Sequence, residues 1–553
     1  MYPRLKRRRF AISWFSLSLV GLFVLSLMLR FWGLSRFNAL VFDEIYYANF
    51  ARGFLTGVQE FGGHPPLSTY LIAGGIWLAK LTPWGNEGLA NGYTGIMMTP
   101  FSYRWLNALV GSGIPVLVAA IAYQLTYRRT YAVIAGLFIA CDGLFLVESR
   151  YALNNVYLIT FGLLGHLFLL LALNLNRSDS SRSDSNRFGS RLNSLNATPI
   201  PRFSLPFVLL LLLAGIGFGA SAAIKWNGLW FLFGVYLVWS ASWLVRWINQ
   251  LRPGLLLSPE VDATPFGQLS RLHVGYMAIA LGLVPALTYT LSWLPFMALK
   301  PGLSVIQWQY EVLNYNLRVG GMTTHPYCSP WYTWPLMWRP VAYFYKTAHG
   351  LQEPVPVVGP PLPQNAAVTI YDVHAMGNPF LWWLSTAAVI CLAGLVIQRL
   401  IRWAFPRFGS QRRVRVAGLT RAGNRSSAQG LQTLLVGDGD GDRRLYSAVP
   451  VITPYTSTIV YLLLNWLGNL IPWIGVVRCT FIYHYMESVI FATLAIALLV
   501  DRWLHSTQHW HRIVGLTVIL AIALAFVFWL PFYLGLPLSP FEVQIRRWLP
   551  SWI

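Results

Sequence analysis

Long apolar runs alternate with short polar breaks along almost the whole chain. Runs long enough to cross a bilayer lie near 11–34, 102–126, 131–147, 152–174, 205–223, 227–245, 273–294, 379–398, 452–475, 481–500 and 513–535. A spanning helix needs about 20 apolar residues, about 17 at the short end, so the pattern predicts an all-α polytopic integral membrane protein with about 11 transmembrane helices. The stretches 131–174 and 205–245 can be divided in more than one way, so the count is good to about one. The first run follows Arg4 and Lys6 to Arg9 as a signal peptide would. It is too long for one and lacks a small-residue cleavage site, which predicts a retained first helix.

Composition agrees with the pattern. The 553 residues are 56% hydrophobic and 11% charged, with mean hydropathy +0.51, whereas soluble domains carry about 25% charged residues. The net charge of +22 would point to nucleic acid in a soluble protein. Here cytoplasmic loops and anionic lipid headgroups account for it, and no nucleic-acid partner is expected. With the N-terminus inside, the segments 1–10, 127–130, 175–204, 246–272, 399–450 and 501–512 hold about 27 of the 41 Lys and Arg, and the outside segments about 12. That two-to-one bias is the one cytoplasmic loops show, and it leaves two long loops outside, 35–101 and 295–378. Two inside stretches, 177–196 and 407–445, are low in complexity and read as disordered linkers, so the sequons at Asn196 and Asn424 are expected to stay unmodified. The chain thus divides into an N-terminal transmembrane catalytic module (1–300), the second outer loop (301–378) and a C-terminal transmembrane module (379–553) with a disordered loop at 400–450.

Candidate chemistry collects on the outside. Asp43 and Glu44 follow the first run, and an acidic pair held beside lipid is costly unless something uses it. His64 precedes Pro65-Pro66, which hold it in extended backbone. Arg150, Lys225 and Arg478 lie at outer helix ends, where long cations ordinarily snorkel to the headgroups. Sharp turns around Arg150 and Lys225 draw those two toward the bundle interior instead, as a phosphate site beside a base. The run from His325 to Arg339 carries Trp331, Tyr332 and Trp334 among four prolines ending at Pro340, a shaped loop and not a random aromatic girdle. A weakly amphipathic stretch at 66–80 suits the membrane interface. The four cysteines have no metal-ligand spacing; Cys141 and Cys391 read as packing residues, and Cys328 and Cys479 face the same side, which leaves a disulfide between them open. No phosphate-cradling glycine loop and no transporter-like internal repeat is present.

Taken in order, Phe42-Asp43-Glu44 with Tyr46 and Tyr47, His64-Pro65-Pro66-Leu67, Ser149-Arg150-Tyr151 to Asn155, Ile224-Lys225-Trp226-Asn227-Gly228, His325-Pro326-Tyr327 to Arg339-Pro340, Gly377-Asn378-Pro379 and Phe481-Ile482-Tyr483-His484-Tyr485 resemble the protein O-mannosyltransferases. These are GT-C glycosyltransferases that use a polyprenyl-phosphate-linked sugar. The family's acid before His-Pro-Pro and Gly-Lys after it are replaced by Gly62 and Ser68-Thr69. The second outer loop is too short for the eukaryotic β-trefoil insertion, so the resemblance is to the bacterial type. It implies a plasma-membrane enzyme, N-terminus cytoplasmic and active site outside, that moves mannose from polyprenyl phosphate to Ser/Thr hydroxyls of exported proteins with inversion. Asp43 and Glu44 would be catalytic; Arg150, Lys225 and His64 would bind the donor phosphate; His325, Trp331, Tyr332, Trp334 and Arg339 would bind substrate. No cofactor is required, though a divalent cation (Mg2+ or Mn2+) at Asp43 and Glu44 stays open. A related transferase acting on a lipid or polymer, and a transporter or flippase, are the alternatives. The second is disfavoured because ionisable residues gather at one face and not at mid-membrane.

Overall fold

The computed structural model describes residues 13–58, 60–85, 98–185, 204–251, 256–349, 355–359, 368–405 and 451–553, together with a short strand pair, β3 (Leu434–Leu435) and β4 (Leu445–Tyr446). The sequons and most of the two low-complexity stretches lie outside the described residues, although residues 177–185 continue a helix.

Among the described residues ten helical spans are long and apolar enough to cross a membrane, and a bent pair makes an eleventh if counted as one. The first half contains α1 (Trp14–Phe31), α2 (Glu44–Thr56), α3 (Leu67–Ala79), α4 (Pro100–Thr126), α5 (Arg129–Ala140), α6 (Gly143–Arg150), α7 (Asn155–Ser185), α8 (Leu205–Ala222) and α9 (Leu229–Leu251). After the short α10 (Pro265–Leu269), one span is built from α11 (Val274–Ala278), a π-turn, α12 (Val284–Ser292) and α13 (Leu294–Leu299). Beyond α14 (Val305–Arg318), the last part holds α15 (Pro379–Ala404), α16 (Pro454–Leu470), α17 (Met486–Leu504), α18 (His509–Leu534) and α19 (Pro540–Gln544). The bent pair is α5 and α6, which meet at 59°. Asp142 causes the break: it caps α6 by accepting the amides of Leu144 and Phe145 at 3.0 and 3.2 Å, and takes the Trp382 indole N–H at 2.8 Å.

Helices pack closely where side chains are absent. A Cβ on Gly217 of α8 would lie 2.8 Å from the Gly165 nitrogen of α7, the close backbone approach that small residues allow in membranes. By contrast α17 is almost wholly buried, its polar residues Glu487, Ser488, Thr493 and Asp501 included, which makes it the central staff of the bundle. α3 does not lie on the surface as an amphipathic element; Ile72, Ala73, Ile76 and Ala79 are buried, and it packs against α2 and α4.

The all-α expectation needs one addition. In the second long loop, β1 (Val341–Ala348) and β2 (Thr369–Ala375) pair antiparallel, and β2 also takes β5 (Pro537–Leu538). The aromatic and β-branched residues of Val341-Ala342-Tyr343-Phe344-Tyr345 suit a pleated surface, but a strand of eight residues is short beside the apolar runs that surround it in sequence. Cys328 and Cys479 form a disulfide with Cα atoms 5.2 Å apart, joining segments 151 residues apart in sequence. Around it, the Ser329 amide donates to the Thr480 carbonyl and the Cys479 amide to the Gly320 carbonyl, both at 2.8 Å. Cys141 is buried as expected, but Cys391 lies on the exposed side of α15 and is not a core residue.

Alkylation of the denatured, unreduced protein should therefore label two thiols, and four after reduction. Closing so long a loop limits the unfolded chain, so Cys328→Ser should lower stability by about 2–5 kcal/mol in thermal unfolding in detergent.

Candidate active site

The position of Asp43 is set by its two neighbours. Phe42 has φ 52, a left-handed conformation that costs a bulky residue of order 1–3 kcal/mol. Its ring is stacked on Tyr343 at 4.1 Å between centroids. Glu44 turns back to accept the Val41 amide at 2.8 Å. The same carboxylate accepts from Arg104 Nε at 2.8 Å, Arg104 Nη2 at 2.7 Å and the Ala152 amide at 2.8 Å. Arg104 also donates to the carbonyls of Leu34, Phe37 and Ala39 at 3.2, 2.8 and 2.7 Å. Both members of this ion pair are fully buried. Glu44 is thus a structural partner and not a catalytic acid, and with its oxygens filled it offers no free ligand to a divalent cation beside Asp43. Adjacent helical side chains point about 100° apart, so one acid of the pair turns into the core and the other faces outward.

Asp43 remains half-buried at the start of α2, with no capping bond to its own helix. Burial pushes its carboxyl up to about 6, against the pull of the Lys225 ammonium. Lys225 lies in the extended residue between α8 and a 3-10 turn, and its Nζ donates to Asn155 Oδ1 at 2.9 Å. Asn155 Nδ2 in turn donates to Glu148 at 3.2 Å, and the Tyr343 hydroxyl donates to the other Glu148 oxygen. Burial lowers Lys225 to about 8, opposed by Glu148 and Asp43.

Two more groups complete the cluster. His64 is pushed well below its usual value by burial and by the charges of Lys225 and Arg478, so it is neutral at physiological pH. Arg478 is presented by a strand-like bridge between it and Gly321, next to the Cys479 disulfide. Tyr47, Tyr315, Tyr343 and Tyr483 all lie within electrostatic reach of Asp43. A cleft lined by Tyr47, Phe50, Glu60, His64, Ser68 and Thr69 opens alongside. The arrangement is one carboxylate without a side-chain partner, Asp43, a second, hydrogen-bonded carboxylate, Glu148, two cations and a neutral imidazole, all at one end of a helix bundle.

Comparison with known proteins gives the family. Residues 20–295 match the family described as dolichyl-phosphate-mannose-protein mannosyltransferase, and residues 303–418 and 442–552 match the C-terminal four-transmembrane region of protein-O-mannosyltransferase. The chain belongs to the protein O-mannosyltransferase family. It is 25% identical to a polyprenol-phosphate-mannose–protein mannosyltransferase of Mycolicibacterium smegmatis, covering 93% of this chain and 87% of that one. A protein of the same name from Corynebacterium glutamicum is 25% identical over 66% of this chain and 70% of its own. Among solved structures, the S. cerevisiae Pmt1-Pmt2 complex bound to the sugar donor matches with a TM-score of 0.62 at 14% identity, over 98% of this chain and 93% of that chain. At that identity the likeness is one of fold, the GT-C fold of membrane glycosyltransferases.

Within this family member the remaining expected site residues divide. Lys225 and His64 join Asp43. Arg150 does not: its terminal nitrogens donate to the carbonyls of Leu29, Arg30, Trp32 and Gly33 at 2.7–3.3 Å, closing the C-terminal end of α1. Those bare carbonyls are the cation's partners, so no phosphate is needed to explain it. Trp334 is a core residue, fully buried, with its indole donating to Ser329 and packed on Trp473 and His484. Arg339 reaches back to the Pro326 carbonyl and braces the loop instead of facing the cleft. Trp331 is partly buried against its neighbour Tyr332, which is exposed, and His325 packs on Phe481. Glu148 and Arg478 were the residues to add. An acid inside an apolar run was a legible signal for the first; Arg478 gave none beyond lying at a helix end.

Arg104→Met should destabilise the protein by about 3–5 kcal/mol, because it leaves Glu44 buried and unpaired. Asp43→Asn, whose side chain anchors nothing, should leave the unfolding temperature within error of the parent protein. Thermal unfolding in detergent separates the two.

Proposed function

We propose that the chain transfers mannose from a polyprenyl-phosphate donor to Ser or Thr hydroxyls of exported proteins, with inversion at the anomeric carbon. The observation that carries this reading is the Asp43 carboxylate, free of structural bonds and facing Lys225, while its neighbour Glu44 is wholly engaged. Asp43 takes the hydroxyl proton as the hydroxyl oxygen forms its bond to the anomeric carbon. The bond from that carbon to the phosphate oxygen breaks, and its electron pair leaves with the polyprenyl phosphate. The leaving group gains negative charge without needing a proton. Lys225 and Arg478 are preorganised cations that stabilise that charge where water is scarce, and neutral His64 offers a further hydrogen bond. Arg478 thus takes the part expected of Arg150.

The lipid tail lies between helices, and the protein acceptor reaches the site through the cleft beside His64. The enzyme sits in the plasma membrane with its N-terminus cytoplasmic and this site outside, an orientation supported by the Lys and Arg bias of the loops. The donor's own phosphodiester bond supplies the driving force, so no nucleotide is required, and the residues named here perform the transfer without a bound metal.

Two measurements test this. Asp43→Asn should lower transfer of labelled mannose from polyprenyl-phosphate mannose to a Ser/Thr peptide by at least about a hundredfold; unchanged turnover would remove the base. The profile of kcat/KM against pH should be bell-shaped. It should rise through about 6 as Asp43 loses its proton and fall above about 8 as Lys225 loses its charge. Lys225→Met should abolish the alkaline limb and lower the plateau.

A further inference from the structure

The helix α14 has three faces, and the sequence and packing assign a different environment to each. Trp308 and Val312 are buried, with Tyr315 and Asn316 on the same side. Gln307, Asn314 and Arg318 are exposed and polar. The third face carries Ile306, Tyr310, Leu313 and Leu317, which are 69, 62, 41 and 70% exposed. Their spacing of four, three and four residues puts them in one stripe, roughly 140° around the axis from the buried face at about 100° per residue.

The height of α14 is fixed by what it touches. Trp308 packs on Trp293 and Phe296 at 6.2 and 4.9 Å between ring centroids, and both of those belong to the last turns of the Val274–Leu299 span. Gln309 accepts the Tyr289 hydroxyl of the same span. Only residues 300–304 separate the span from α14, at most about 20 Å of extended chain. The Lys300 amide is still bonded to Phe296 and Gly302 turns with φ 121, so the true reach is shorter. The helix therefore lies beside the end of a membrane span. Leu291, Leu294 and Leu299 of that span are themselves 58, 51 and 38% exposed.

We propose that α14 rests in the headgroup layer of the bilayer, with Ile306, Tyr310, Leu313 and Leu317 turned into the acyl boundary. The polar face then meets water and the face of Trp308 and Val312 meets protein, the division expected of an interfacial amphipathic helix. The occupant of the stripe is lipid and not protein because it continues the exposed apolar surface of a spanning segment. The seat has a consequence for the site. On the inward face Tyr315 covers Gly63, where an added Cβ would lie 2.0 Å from the ring, and Asn316 donates to the Gly63 carbonyl at 3.3 Å. The bilayer surface, through α14, sets the level at which the neighbouring His64 is held.

The test uses the full chain in lipid vesicles, with Cys391→Ser removing the exposed free thiol and a nitroxide placed singly through Gln307→Cys, Leu313→Cys, Asn314→Cys or Leu317→Cys. Spin-label relaxation by oxygen, which partitions into lipid, is compared with relaxation by a water-soluble nickel chelate. The expected result is a several-fold higher oxygen-to-nickel ratio at 313 and 317 than at 307 and 314. Equal nickel access at all four positions would overturn the proposal, as would shielding of 313 and 317 from both agents, which would mean that a protein surface covers the stripe. The readout involves no transfer assay, so it stands or falls apart from the proposed activity.

Discussion

The buried pair of Glu44 and Arg104 holds the rest of the site in place. An ion pair this deep is not in itself a source of stability, because desolvating both charges offsets most of their attraction. Its value is geometric. Arg104 on α4 gathers the carbonyls of the α1–α2 connection, and Glu44 gathers the amide of Val41 from that same connection and the amide of Ala152 from the turn after α6. With every donor and acceptor committed, the backbone at Phe42 has one place to be, strained as it is, and Asp43 projects from it with a free carboxylate.

The cationic side is assembled by different means. Lys225 is carried in by the turn between two spans and held through Asn155 and Glu148. Arg478 depends on a covalent clamp: the disulfide and the flanking backbone bonds draw residues 320–329 and 478–480 together. The aromatic-proline run is the scaffold for that clamp. Trp334 fills the space under it, and Arg339 ties its two ends. A run that looks like a substrate platform in sequence is largely a buttress.

The arrangement follows from the solvent on either side. Inside lipid a buried charge needs a protein partner, as Glu44 has in Arg104. Groups free to do chemistry gather where helices end and water or substrate can reach them.

Much of this was legible beforehand. The apolar periodicity alone determined the number and position of the spans to within about one helix, since length and hydropathy are properties of contiguous residues. The ordered series of motifs determined the family, and Asp43, Lys225 and His64 were among the residues it singled out. What the sequence could not decide was which of two adjacent acids turns inward, whether Arg150 or Arg478 lies beside Lys225, and whether Trp334 is surface or core. Each of those is settled by a partner more than a hundred residues away: Glu44 meets Ala152, Arg150 meets the end of α1, Arg478 is placed by the disulfide from its neighbour Cys479 to Cys328, and Trp334 packs on Trp473. The side chain's own identity is compatible with either role, and only the tertiary fold brings the partner that settles it.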